Sequence, residues 1–199
     1  MTKEEKIKIF NEIYKDIDGF SLSLSERSKR GINDKSFVYG EIIPEGFCEI
    51  LEKAHADKYS IFYDLGSGTG KAVILAKLIF DVKKSIGIEY LESLIEASQL
   101  AYSRFKDIFN LKDENSIEFI KGDIFDNDFS DGDLVFVNST CFNDEQLERI
   151  VNMSLELKKG SRLIILTKKI NDNSNFEMIN EGLYPFSWGS ATVRIYQRK

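Results

Sequence analysis

The spacing of apolar residues along the chain predicts an N-terminal helix followed by a region without helical periodicity. Apolar residues recur at steps of three and four within residues 1–18, which is typical of a helix with one buried face. These residues are Ile7, Phe10, Tyr14 and Ile17. The polar stretch Ser21–Asn33 lacks that repeat and contains Gly31, and we expect it to form a loop.

A second helix is predicted to begin at Pro44, since proline suits the first position of a helix. From residue 60 onward, short apolar strands alternate with helices. We expect strands at Ser60–Asp64, Ser85–Glu89, Ile117–Ile120, Leu134–Asn138, Arg162–Lys168 and Ala191–Gln197, with the last at an edge of the sheet. We expect helices at Gly70–Phe80, Leu91–Phe109 and Asp144–Leu157.

Apolar strands that alternate with helices favour a parallel sheet covered on both faces. The predicted fold class is therefore α/β, with a single Rossmann-like domain, a mostly parallel sheet of the seven-stranded type and helices on both faces. We expect residues 1–35 to form an N-terminal arm of helix and loop, and residues 36–199 to form the Rossmann-like domain.

Composition and charge exclude several classes of protein. The 199 residues are 42% hydrophobic and 30% charged, which is ordinary for a globular domain. The 27 basic and 33 acidic residues give a net charge of −6, which argues against strong direct binding to nucleic acid. The sequence has neither a membrane-length apolar run nor an apolar signal core near residue 1, so we expect no membrane partner and an intracellular location.

Metal chemistry finds little support in the sequence. Cys48 and Cys141 lie far apart, and His55 is the only histidine. These three residues match neither a zinc-binding spacing nor a catalytic triad, so we expect no metal site.

The most informative motif is DLGSGTGK, residues 64–71, which lies between a predicted strand and a predicted helix. A phosphate-binding P-loop would require glycine where Leu65 stands and serine or threonine where Ala72 stands. A dinucleotide-binding GxGxxG loop would require its third glycine at Lys71, and Asp64 would repel a pyrophosphate. The motif therefore disfavours ATP, GTP and NAD.

The same motif suits S-adenosylmethionine (SAM), which carries an ammonium and a sulfonium but no phosphate. Asp64 and the following glycines match the DxGxGxG pattern of class I methyltransferases. Glu89 ends the next strand, where an acid can hold the ribose hydroxyls. Asp123 follows the third strand near the expected adenine, and Ile124 or Phe125 can pack on that ring. Three acids after three successive strands predict a SAM site.

Several further motifs resemble the Dot1 family of non-SET protein lysine methyltransferases. They are Val38-Tyr39-Gly40-Glu41 before the first strand of the domain, Lys71-Ala72-Val73, Gly87-Ile88-Glu89, Gly122-Asp123 and Val135-Phe136-Val137-Asn138. The resemblance covers residues 36–199. It implies a class I methyltransferase that transfers a methyl group from SAM to a protein lysine, in a histone or another protein. The expected location is the nucleus if chromatin is the substrate and the cytoplasm otherwise.

The motif and the resemblance together imply the residues of the site. The cofactor-binding set is Tyr39, Glu41, Asp64, Gly66, Ser67, Gly68, Gly70, Glu89, Asp123, Ile124 and Asn138. The catalytic set is Asn138, Tyr39 and Trp188. Asn138 is expected to orient the acceptor amine, and the candidates for the walls of the lysine channel are Phe142, Trp188 and Tyr196.

Two features depart from the family pattern. The channel tyrosine is expected seven residues after the tryptophan, where this chain has Ile195, and Tyr196 follows one position later. Long basic segments are also absent from this acidic sequence. Three alternatives therefore stay open: a non-histone protein substrate, a small-molecule or RNA substrate, and an inactive SAM-binding module.

Overall fold

A seven-stranded sheet forms the centre of the computed structural model, which describes residues 1–111, 116–171 and 174–199. The strands are β1 (Ile61–Leu65), β2 (Lys84–Glu89), β3 (Ile117–Lys121), β4 (Leu134–Val137), β5 (Arg162–Leu166), β6 (Phe176–Phe186) and β7 (Gly189–Arg198). Their order across the sheet is β3-β2-β1-β4-β5-β7-β6. The first five are mutually parallel, and β7 pairs antiparallel with both β5 and β6.

Six α-helices are described in the same ranges. They are α1 (Lys3–Tyr14), α2 (Gly19–Arg30), α3 (Pro44–Lys53), α4 (Lys71–Phe80), α5 (Glu92–Phe109) and α6 (Asp144–Met153). Single turns of 3-10 helix occur at Lys35–Phe37 and Ser154–Glu156. Within the described ranges, no helix has the length and apolar character needed to cross a membrane.

Alternate strand residues point to opposite faces of the sheet, and helices cover both faces. Phe62 and Ile164 join one buried cluster with residues of α1, α3, α4 and α5. Tyr63 and Ile165 join a second cluster with residues of α6. The predicted α/β fold with a mostly parallel sheet is confirmed.

The segment predicted as a loop at Ser21–Asn33 is largely α2, so that prediction is wrong. The Asp18 side chain accepts from the Ser21 amide at the start of α2, and Gly31 ends the helix in the left-handed conformation at φ 65°. The helix is polar, and contacts with α5 stabilise it more than an apolar face of its own does. The caps at Asp18 and Gly31 were the sequence signals for this helix.

The C-terminal part of the sheet also differs from expectation. The predicted strand Ala191–Gln197 lies within β7, but β7 sits between β5 and β6 and is not at an edge. At this end of the sheet the edge strand is β6, where apolar Ile179 and Leu183 are exposed and the sequence does not alternate cleanly between apolar and polar residues. The hairpin of β6 and β7 carries Trp188 in its turn, next to the carboxyl ends of the parallel strands.

Candidate active site

A cleft opens where the carboxyl ends of β1, β2 and β4 meet. Strand order reverses here, since β2 and β3 lie on one side of β1 while β4 and β5 lie on the other, and α/β proteins bind ligands at such points. The charged residues in the cleft lining are Asp34, Glu41, Lys71, Asp64, Glu89 and Asp123. Five acids and one base make the cleft suited to a cationic ligand.

The glycine turn, residues 66–70 between β1 and α4, lies beside the cleft. Gly66, Gly68 and Gly70 all have positive φ, at 86°, 56° and 79°, a conformation that favours glycine. A Cβ atom built on Gly68 would lie 2.5 Å from the Tyr39 ring. Gly68 and Gly70 shape this turn, although neither lines the cleft itself.

Ser67 presents an unsatisfied hydroxyl in the same turn. The residue is 7% exposed and lines the cleft, and its Oγ has no hydrogen-bond partner. A Cβ atom on Gly87 would lie 2.5 Å from this oxygen, so the Ser67 hydroxyl is buried against β2 beneath the turn.

Asp64 and Glu89 form a pair of buried acids at the ends of β1 and β2. Burial and the neighbouring Glu89 raise the pKa of Asp64 to about 8. Burial also raises the pKa of Glu89, although its carboxylate accepts from the amides of Gly68, Tyr90 and Leu91 at 2.8–2.9 Å. Both acids therefore favour a ligand that brings a positive charge or hydroxyl donors.

Tyr39 and Glu41 close one side of the cleft through a hydrogen-bonded network. The Tyr39 hydroxyl donates to Glu41 Oε1 at 2.8 Å and lies 2.9 Å from Thr69 Oγ1. Lys71 Nζ donates to the other Glu41 oxygen at 2.6 Å, in an ion pair whose side chains are 18% and 13% exposed. Burial and Glu41 raise the pKa of Tyr39, which keeps its hydroxyl protonated.

The segment that carries Tyr39 and Glu41 is joined to the end of β6. The Glu41 amide donates to Ser187 Oγ at 2.9 Å, and the Ser187 amide donates to the Glu41 carbonyl at 3.0 Å. Trp188 stacks on Phe186 with ring centroids 4.9 Å apart, and a Cβ on Gly40 would meet the Trp188 ring at 2.3 Å. These contacts place residues 40–41 and residues 186–188 in the same wall of the cleft.

The opposite part of the cleft is formed by the residues after β3 and β4. Asn138 lines it, and its Oδ1 accepts from the Thr140 amide at 3.3 Å. Phe142 lines it and is 8% exposed. Asp123 and Ile124 line the end near β3, and the Asp123 carboxylate accepts from the Phe125 amide at 2.9 Å.

Most of the residues predicted for the site line this one cleft. They are Tyr39, Glu41, Asp64, Gly66, Ser67, Glu89, Asp123, Ile124, Phe142, Asn138 and Trp188. Tyr196 does not reach it, because its side chain lies in the second buried cluster and its hydroxyl accepts from the Ile170 amide at 3.1 Å. Ile195 points to the opposite face and is buried in the first cluster.

Sequence reasoning missed several side chains in the cleft lining, among them Lys71 and Tyr90. Each directly follows a motif that was recognised, Lys71 after the glycine turn and Tyr90 after Glu89. Their positions next to these motifs were the available signal. Across the described ranges, no group of three histidine, cysteine or acidic residues is arranged to hold a metal ion.

Comparison with known proteins identifies the family. Residues 29–182 match the protein-family profile described as "Histone methylation protein DOT1". This match covers more than half of the chain. The chain belongs to the DOT1 family.

Relatives of this DOT1-family chain include curated histone-lysine N-methyltransferases described as H3 lysine-79 specific. The Kluyveromyces lactis protein is 30% identical over 153 residues, which are 71% of this chain and 26% of that protein. The Caenorhabditis elegans protein is 31% identical over 150 residues, which are 70% of this chain and 16% of that protein. The chain thus spans less than a third of the length of these two relatives.

Solved structures confirm the fold of class I SAM-dependent methyltransferases. An RNA methyltransferase from Salinibacter ruber in complex with S-adenosyl-L-homocysteine has a TM-score of 0.58 and 21% identity, over 77% of this chain and 90% of that one. Magnesium protoporphyrin IX methyltransferase from Synechocystis, with bound SAM, has a TM-score of 0.61 and 13% identity, over 97% of this chain and 91% of that one. At these identities the likeness concerns the fold.

Proposed function

We propose that this DOT1-family chain is a SAM-dependent methyltransferase that acts on a lysine side chain of a protein. The observation that carries the proposal is the pair of buried acids, Asp64 and Glu89, on either side of a glycine turn whose cleft lining holds five acids and one base. The membership in the DOT1 family supports the lysine substrate.

The residues of the cleft fit SAM. Asp64 lies beside the glycine turn, where a carboxylate stabilises an ammonium or sulfonium. Glu89 offers oxygens to the ribose hydroxyls. Asp123 and Ile124 lie at the far end, where the adenine would bind. Lys71 is the single cation of the described lining and would face the cofactor carboxylate.

SAM, when bound, supplies an electrophilic methyl group on its sulfonium. The chain's own task is then to deliver a neutral amine in line with that group and to keep water out. Phe142 and Trp188 provide apolar walls that lower the pKa of an entering lysine by desolvation. Asn138 orients the amine with its side-chain oxygen, and this role does not require a strong general base.

A histone is the substrate we propose first, and such a substrate would place the protein in the nucleus. The support comes from relatives whose names specify lysine 79 of histone H3. The net charge of −6 favours a basic protein as partner over direct nucleic-acid contact.

The test is transfer of radiolabelled methyl from SAM to recombinant nucleosomes, free core histones and a cell lysate, with Gly68→Arg as the inactive control. Label on a histone supports the full proposal. Label on a non-histone protein keeps the lysine chemistry but moves it away from chromatin. Label only in RNA or small molecules contradicts the protein substrate, and SAM binding without transfer indicates an inactive module.

A further inference from the structure

Helix α2 contacts both walls of the cleft from outside. No residue between Gly19 and Arg30 belongs to the cleft lining, all of which lies in described parts of the chain. At one end α2 contacts Tyr39, and at the other it contacts the turn that follows Glu89. The proposed function assigns the helix no role.

Glu26 of α2 completes the N-terminus of α5. The residue at the N-cap of α5 is Leu91, which cannot accept a hydrogen bond with its side chain. Glu26 accepts instead from the amides of Glu92 at 3.1 Å and Ser93 at 2.7 Å. The two preceding amides, of Tyr90 and Leu91, donate to Glu89. Two carboxylates thus accept from four successive amides, two at Glu89 in the cleft and two at Glu26 outside it.

Arg30 extends this contact to the cleft wall. Its guanidinium donates to Glu26 at 2.8 Å and lies 4.8 Å from the centre of the Tyr90 ring. Phe37 packs on the same ring with centroids 5.2 Å apart. Tyr90, which lines the cleft, is therefore held between α2 and the segment that follows it.

The other end of α2 fixes the Tyr39 side chain. Gly19 is buried against it, and a Cβ at this position would lie 2.4 Å from the Tyr39 hydroxyl oxygen. Phe20 packs edge-on against the Tyr39 ring with centroids 5.2 Å apart. Tyr39 in turn covers Gly68 and contacts Thr69, so α2 presses the tyrosine onto the glycine turn.

We propose that α2 positions both ends of the cofactor cleft, with Glu26 as the positioning residue for the nucleoside end and Gly19 for the aminoacyl end. This inference rests on the proposed function, because it takes SAM as the ligand. It assigns to α2 a part in cofactor affinity, although this helix contributes no group to the cleft lining.

Two ligands allow the effects at the nucleoside end and the aminoacyl end of the cleft to be measured separately. SAM occupies both, whereas 5′-methylthioadenosine has the nucleoside and lacks the aminoacyl group. Binding of each is measured by calorimetry for the full chain and for the variants Glu26→Ala and Gly19→Ala. Glu52→Ala, in a surface ion pair with Lys3, and Ser25→Ala, at an exposed position of α2, are the matched controls.

We expect Glu26→Ala to weaken the binding of both ligands by the same factor, on the order of tenfold, because both ligands need the nucleoside end whose helix terminus Glu26 caps. Gly19→Ala should weaken SAM by about tenfold and change 5′-methylthioadenosine by less than about twofold, since only Tyr39 must move. Both controls should bind like the wild type. A purely structural role would lower the fraction of competent protein, seen as the stoichiometry, and leave the dissociation constants unchanged.

Unchanged dissociation constants in both variants would overturn the inference, as would an equal loss of both ligands in Gly19→Ala. If Glu26→Ala does not fold, Glu26→Gln keeps one acceptor oxygen and should show a smaller loss that is still equal for the two ligands. A wild-type chain that binds neither ligand would instead contradict the proposed function. The two failures are therefore distinguishable.

Discussion

The backbone amide of Gly68 donates a 2.9 Å hydrogen bond to the carboxylate of Glu89, which joins the glycine turn after β1 to the end of β2. The Glu89 oxygens therefore lie where the turn places them, and the close approach of the Tyr39 ring leaves room only for glycine at position 68. This one contact connects the two parts of the candidate cofactor site.

Gly68→Ala tests this connection. A Cβ atom would strain the backbone at φ 56° and collide with Tyr39 at 2.5 Å, so we expect SAM affinity to fall by at least about tenfold. The single tryptophan, Trp188, lines the cleft, and its fluorescence on titration with SAM provides the measurement.

Gly160→Ala, in the turn before β5, is the matched control for that variant. Its φ is also positive, at 89°, but a Cβ there would meet no atom within 4 Å. Gly160→Ala should lose about 1 kcal/mol of stability and no affinity. Gly68→Ala should lose more stability because of the collision with Tyr39, and it should also lose affinity. Equal affinity losses in the two would contradict the role of the turn.

The affinity for SAM should rise with pH up to about 8. In the free protein burial and Glu89 raise the pKa of Asp64 to about 8, so the carboxyl is mostly protonated at neutral pH. A cationic ligand favours the carboxylate, and each pH unit below that value should cost up to about tenfold in affinity. Calorimetry in two buffers of different ionisation enthalpy will show proton release on binding. Asp64→Asn should remove this pH dependence and the proton release, and a flat wild-type profile between about pH 6 and 8 would contradict the assignment.

The same group makes the stability of the free protein pH-dependent. Between the ordinary pKa of 3.8 and the raised pKa of about 8, the folded chain holds a proton on Asp64 that the unfolded chain has lost. The contribution of Asp64 to the free energy of unfolding therefore decreases as pH rises through this window. Denaturant melts of the wild type and Asp64→Asn should converge at low pH and separate as pH rises, with the variant the more stable. If the stabilities of the two proteins changed equally with pH, Asp64 would not be protonated in the folded protein.

Lys71→Met should discriminate between SAM and decarboxylated SAM. If Lys71 faces the cofactor carboxylate, its loss should weaken the binding of SAM by about tenfold. Decarboxylated SAM should bind at least as well as it does to the wild type, because Glu41 then lacks its ion-pair partner. Lys3→Met, which removes a more exposed ion pair with Glu52, is the control. Equal losses for the two ligands would assign Lys71 a purely structural role through Glu41.

Asn138→Ala should reduce methyl transfer far more than cofactor binding. Loss of the group that orients the acceptor amine should lower kcat by about a hundredfold, while the dissociation constant of SAM changes by less than about threefold. Steady-state transfer and equilibrium binding give the two quantities, and Asn152→Ala, an exposed position on α6, is the control. An equal loss of transfer and affinity would place Asn138 in the cofactor site alone.

The sequence predicted the central sheet and the acids of the cleft because both depend on local patterns. Buried parallel strands appear as short apolar runs, and the acids stand directly after them. Asp64 and Glu89 could therefore be located from strand ends alone, since parallel strands present their carboxyl ends at one edge.

The elements that were missed depend on tertiary contacts. Helix α2 has a polar sequence, and Glu26 stabilises it through the amides of α5, a contact 67 residues away along the chain. Strand β6 is an edge strand with a register shift between Met178 and Asn180, and apolar Ile179 and Leu183 lie on its exposed side. Its sequence therefore lacks the alternation of apolar and polar residues that would have predicted it. Tyr196 faces away from the cleft because strand neighbours point to opposite faces and β7 runs through this position without a shift against β5.

The most direct test of the central claim is identification of the methylated residue after incubation of the chain with SAM and recombinant nucleosomes or core histones. The proposed function predicts methyllysine in a histone peptide by mass spectrometry, formed by the wild type and not by Gly68→Arg. Measurable SAM binding with no methyllysine in any protein acceptor, including those of a whole-cell lysate, would contradict it.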